Sequence, residues 1–125
     1  MALAPSVDGA LLTQHAAELG MATTQQIVDL FNDTIPASLT LARQAFADGN
    51  NKLLVRTVHR MKSSASTVGL RSLADMAATL EATVADGQHA QIDALLAELE
   101  HRLPDVIASL AVLWADVQRK QAVSS

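Results

Sequence analysis

Apolar residues return along this chain in alternating steps of three and four, the period of one face of an α-helix. The clearest case is residues 53–69, where Leu54, Val58, Met61, Ala65 and Val68 define a stripe. With 3.6 residues per turn, the centre of that stripe lies opposite Ser63, and His59 stands roughly 140° away from it. His59 is therefore predicted to face water. The same outward sector carries Lys52, Arg56, Lys62, Ser63 and Ser66, which are cations and hydroxyls with no carboxylate among them. Such a surface suits an anion.

Glycines at positions 20, 49, 69 and 87 each follow a run of helical pattern, where a left-handed cap is favoured. They divide the chain into five predicted helices. The first covers about residues 7–19, with Leu11, Leu12 and Leu19 as its contacts and His15 as an exposed helical residue. The second starts at Thr23 or Thr24, either of which can cap it, and runs to about Ala47. It turns Ile27, Phe31, Ile35, Leu39, Ala42 and Phe46 inward. Pro36 removes one backbone donor from this helix, which predicts one long helix bent near Asn32 and Asp33.

A turn at Asp48, Gly49 and Asn50 follows, with Asn50 or Asn51 capping the histidine helix. Past Gly69, which must turn the chain back within very few residues, Leu70, Leu73, Met76 or Ala77, Leu80 and Val84 mark a fourth helix ending near Asp86. Ile92, Leu96, Leu99, Leu103, Val106, Leu110, Leu113 and Val117 then form an unbroken heptad for a long last helix. Pro104 is predicted to bend or restart it at about Leu103, and residues 121–125 to fray.

The fold class expected is all-α, an antiparallel four-helix bundle with an additional short N-terminal helix as a lid at one end. All 125 residues form one domain, with its core at about 21–117 and its tail at 118–125. Leu110, Leu113, Trp114 and Val117 are expected to cover the first helix, which leaves the chain a monomer; a dimer through that face is the alternative.

Composition narrows the function. Half the residues are hydrophobic but only two Phe and one Trp are aromatic, a balance that favours close-packed helices over strands. The absence of cysteine excludes a disulfide framework and a thiolate zinc site. His89 and His101 have no His or Cys three or four residues away, so no metal site is expected. A net charge of −4 argues against nucleic acid as a partner. No apolar run approaches the ~20 residues of a membrane span, and residues 1–10 lack the pattern of a signal peptide. The expected location is cytoplasmic, either free or as the cytoplasmic part of a membrane-bound sensor kinase.

The ordered set His59, Met61, Lys62, Ser64, Gly69, Leu73, Leu80 and Glu81 resembles the histidine-containing phosphotransfer (HPt) domain of multistep two-component phosphorelays. The resemblance covers about residues 21–113, including the IVDLFNDTIPASL segment, which is similar to the second helix of such modules. One position departs from it: Ser63 stands where the family usually has glycine, so a side chain here either crowds a docking partner or offers a hydroxyl to a phosphoryl oxygen.

The resemblance implies that His59 is the phosphoacceptor and that Glu81, on the following helix, orients its ring. Lys62, one turn from His59, would neutralise phosphate charge. Arg56, Arg60, Ser63 and Ser66 would meet the partner, and Gly69 is structural. The implied partners are response-regulator receiver domains, with a hybrid sensor kinase in cis as a further context. The chain shows no acidic metal cluster, so Mg²⁺ would come from the receiver and no cofactor of its own is expected; without a Gly-rich phosphate loop it cannot bind ATP by that means. It would be a stoichiometric carrier and not an enzyme. Two other readings share the same sequence: a phosphoacceptor served directly by a kinase ATP-binding domain, and a helical adaptor that pairs through its long last helix.

Overall fold

A computed structural model describes residues 9–124. Five helices follow one another: α1 (Gly9–Leu19), α2 (Met21–Ala47), α3 (Asn51–Thr67), α4 (Arg71–Ala85) and α5 (His89–Ser124). Helices α2 to α5 form the antiparallel bundle and α1 packs across α2 and α5 at one end. No strand occurs among the described residues. The predicted start of the first helix at Val7 lies outside them.

Burial follows the predicted stripes most closely in α3. Leu54, Val58, Met61, Ala65 and Val68 are all buried, and Thr57 joins them. In α4 the inward residue is Ala77, with Met76 half-buried against the core. Ile27 and Phe46 also pack half-buried against the core, while Val28 and Ala45 take the fully buried positions of α2. Leu19 is 47% exposed and is not a core contact; Leu12 and Ala16 hold α1 down instead.

The α3–α4 connection shows why Gly69 is there. Gly69 has φ of 80°, its N–H donates to the Ser66 carbonyl at 3.2 Å, and the Leu70 N–H reaches back to Ala65 at 2.8 Å. This pair of bonds closes the last turn of α3 as a Schellman cap, with Leu70 and Ala65 both buried behind it. A side chain at 69 would be forced into a left-handed backbone, so glycine sets the reversal that places α4 beside α3. At the other end of α3, the Asn50 side chain accepts from the Leu53 N–H at 3.1 Å, which makes Asn50 the cap.

Several boundaries differ from expectation. Thr23 and Thr24 do not cap α2: the chain leaves α1 through Gly20, α2 begins at once, and Thr24 is a buried first-turn residue donating to the Gly20 carbonyl. Pro36 lies inside one helix, as expected, and Pro104 does not restart α5. Pro36 and Pro104 each delete one donor, but core residues on both sides, Phe31, Ile35 and Leu39 in α2 and Leu99, Leu103 and Val106 in α5, keep the helix in place. The expected frayed tail is helical to Ser124, with Ser125 outside the described residues. Its last turns are tied by Asp116 to Arg119 and Lys120 and by Gln118 to Gln25 of α2.

The end of α5 covers the molecule's own helices. Leu110, Trp114 and Val117 are buried, and the Trp114 indole N–H donates to Gln25 Oε1 at 2.6 Å. Further along, Arg43 of α2 bridges Asp93 and Glu100 of α5. Hydrogen bonding to Glu100 raises the Arg43 guanidinium above its ordinary pKa against the opposing effect of burial, and Asp93 adds to the rise.

Candidate functional site

His59 lies on the outer face of α3 with its side chain 60% exposed, as the period of that helix predicts. Glu81 is brought to it by the Gly69 reversal, and His59 Nδ1 lies 3.0 Å from Glu81 Oε2. A carboxylate only accepts, so Nδ1 carries the proton and donates, and Nε2 is left with its lone pair on the edge of the ring turned away from Glu81. The outer face of α3 bears no acid of its own; the acid comes from α4.

Lys62 differs from expectation. It flanks the stripe, half-buried on the α4 side, with Nζ 3.7 Å from Glu81 Oε1. One carboxylate thus faces both the imidazole and the ammonium, at 28% exposure. Arg56, Arg60, Ser63 and Ser66 all lie exposed on α3. Among the described residues none of their side chains has a hydrogen-bond or ion-pair partner. Ser66 lies seven residues beyond His59, a rise of ~10 Å along the helix, and is too distant to touch the ring.

On the other side of His59 a groove of about 450 Å³ separates α3 from α2. His59, Arg60 and Ser63 form one wall, and Leu30, Phe31 and Thr34 are on the other. Leu30 is 63% exposed, a large apolar side chain beside the histidine. Sequence reasoning missed this wall, although Leu30 stands out of phase with the inward residues of its helix, a signal for an apolar side chain with no place in the core.

His15 is the second surprise. It is half-buried, and its Nε2 lies 3.0 Å from the Thr67 carbonyl at the end of α3. Because a carbonyl only accepts, Nε2 of His15 carries the proton, and the ring satisfies one of the open carbonyls of that helix terminus. No group of three or more potential metal ligands occurs among the described residues, and no helix among them is long and apolar enough to cross a membrane.

Searches among curated proteins and solved structures gave no match. Residues 26–111 match the family model of the Hpt domain, from early α2 to the middle of α5, and so include both His59 and Glu81. That span is more than half of the chain, and with the helical bundle around it, it places the protein in the Hpt domain family, the histidine-containing phosphotransfer modules of two-component systems.

Proposed function

We propose that this chain is a phosphorelay intermediate: His59 accepts a phosphoryl group from the aspartate of one receiver domain and passes it to that of another. The observation that carries this reading is the exposed imidazole whose Nδ1–H is held by Glu81, leaving Nε2 as the nucleophile. In the transfer, the Nε2 lone pair forms the N–P bond while the acyl-phosphate O–P bond breaks and returns its electron pair to the aspartate carboxylate. No proton need move. The ring gains positive charge, which Glu81 offsets at Nδ1.

The rest of the chemistry is positioning and charge neutralisation around a loose, in-line transition state. Lys62, beside Glu81, supplies a mobile cation at the edge of the site. Mg²⁺ and the acidic residues that hold it would belong to the receiver, which would sit over the groove with Arg56, Arg60, Ser63 and Ser66 at its margin and Leu30 as an apolar contact. The module is a carrier that leaves the cycle unchanged after each pair of transfers.

Incubation with a phosphorylated receiver tests the reading. The wild type takes up label that is acid-labile and base-stable, and His59→Gln takes up none. Label retained in the variant would remove His59 from the site. Label obtained only from a kinase ATP-binding domain with ATP, and from no receiver, would replace the relay by direct phosphorylation.

A further inference from the structure

We propose that the Ser63 hydroxyl donates a hydrogen bond to the phosphoryl group on Nε2 of His59 and lengthens the time that group is held. The proposal rests on the phosphocarrier reading above and goes beyond it to a specific holding group. Ser63 is four residues after His59, so the two side chains are neighbours on the helix surface. Helical side chains lean toward the N-terminus, which turns the Ser63 hydroxyl toward the turn that bears His59.

The groove beside them contains five hydroxyls, and their bonding sorts them. Thr34 donates to the Leu30 carbonyl and Thr67 to the Ser63 carbonyl, each four residues back in its own helix. Ser38 and Ser64 are half-buried, Ser38 on the facing helix and Ser64 on the α2 side of α3. Ser63 alone is exposed, unpartnered among the described residues and one turn from the ring.

Space permits donation. The groove bordered by His59 and Ser63 holds about 450 Å³, so a serine side chain leaves ample room for a phosphoryl group. Nδ1 is fixed to Glu81, so the group on Nε2 projects away from α4, over the surface that Ser63 shares. A donor here acts on the ground state. Charge is most concentrated on the three oxygens of the bound phosphoryl group and is dispersed as the N–P bond loosens, so the hydrogen bond weakens as the group departs to water.

The test uses phosphoramidate as a chemical phosphodonor on the full chain, with ³¹P NMR following the phosphohistidine signal and its decay. Wild type, Ser63→Ala, Ser63→Gly and His59→Gln are compared, with circular dichroism confirming that each is folded. Ser63→Ala and Ser63→Gly are expected to lose the phosphoryl group about fivefold to tenfold faster than wild type, to the same extent in both, with a shifted ³¹P resonance. A purely helical effect would instead separate glycine from alanine, since glycine is the poorer helix former. Unchanged lifetimes, or longer ones, in both variants while wild type is labelled on His59 would overturn the Ser63 role and leave the carrier reading standing. A wild-type signal that persists in His59→Gln would overturn both.

Discussion

Helix α3 is met by two histidine contacts that use opposite nitrogens. His15, from α1, donates its Nε2–H to the Thr67 carbonyl and so is tied into the end of the helix. His59, on α3 itself, donates its Nδ1–H to Glu81 and keeps Nε2 open to solvent. The side chain is the same; what differs is which atom is engaged. Where Nε2 is used in packing, histidine is a piece of structure, and where Nδ1 is anchored instead, Nε2 is left for the phosphoacceptor role proposed for His59. The arginines repeat the contrast. Arg43 is clamped by two carboxylates across α2 and α5, while Arg56 and Arg60 beside His59 have no partner among the described residues.

Substituting the two histidines puts that contrast at greatest risk. His59→Gln is expected to abolish phosphoryl uptake and to melt like the wild type, because the residue it replaces is exposed. His15→Gln should keep full uptake. If the second variant lost labelling while remaining folded, the division between structural and reactive histidine would be wrong. Glu81→Ala comes next. Removing the partner of Nδ1 frees the tautomer and leaves the phosphorylated ring without its counter-charge; a charge-assisted hydrogen bond is worth about 1.5–3 kcal/mol, so transfer should slow by roughly tenfold to a hundredfold. Stopped-flow transfer from a phosphorylated receiver would measure it, and a rate within twofold of wild type would dismiss Glu81 as the orienting group.

Smaller effects sharpen the cation side of the comparison. Lys62 makes a long, partly exposed contact to Glu81, so Lys62→Ala should slow transfer only about twofold to fivefold, the range of exposed charge pairs. Arg43→Ala should leave transfer unchanged and lower stability by about 1 kcal/mol, a fall in Tm of about 3–5 °C in a chain of this size. The loss is small because the guanidinium and both carboxylates are in part solvent-exposed. Thermal melts and transfer rates on the same two proteins should therefore give opposite orders of severity.

The helical scaffold was legible because period and punctuation agree in this sequence. The α3 stripe is buried residue for residue, and Gly49, Gly69 and Gly87 close their helices at positive φ as their position after each helical run requires, while Gly20, with ψ of 160°, serves as the N-cap of α2. Misreadings arose where one local rule met a tertiary one. The restart offered for Pro104 does not occur, because apolar contacts on both sides outweigh one missing donor, as they do at Pro36, where a single helix is both expected and found. Lys62 was placed on the open face by angle alone, whereas at the edge of the stripe it turns toward α4 and Glu81. His15 reads as an exposed helical residue, and its contact could not be read. Its partner is a backbone carbonyl 52 residues away, and backbone groups leave no mark in a sequence pattern. The groove wall was hidden for a similar reason, since Leu30 is informative only once α2 is known to lie beside His59.

The smallest expected effect concerns the end of α5, where charge is satisfied entirely in water. Asp116 accepts from Lys120 first and then from Arg119, and these bonds hold its carboxyl below the ordinary carboxylate pKa. A depressed folded pKa contributes stability above the unfolded value, near 3.9 for Asp, and loses it as pH falls through the folded value. Asp116→Asn should therefore loosen only the last turns of the helix near neutral pH, and should match the wild type once the medium is acid enough to protonate Asp116. Amide exchange at residues 117–123, compared in low and high salt, reads this directly, because a solvent-facing pair is screened. Phosphoryl uptake by His59 should not respond at all. A variant that exchanged faster at its tail and also transferred more slowly would show that the two ends of the bundle are coupled, and the separation between its paired and unpaired charges would fall.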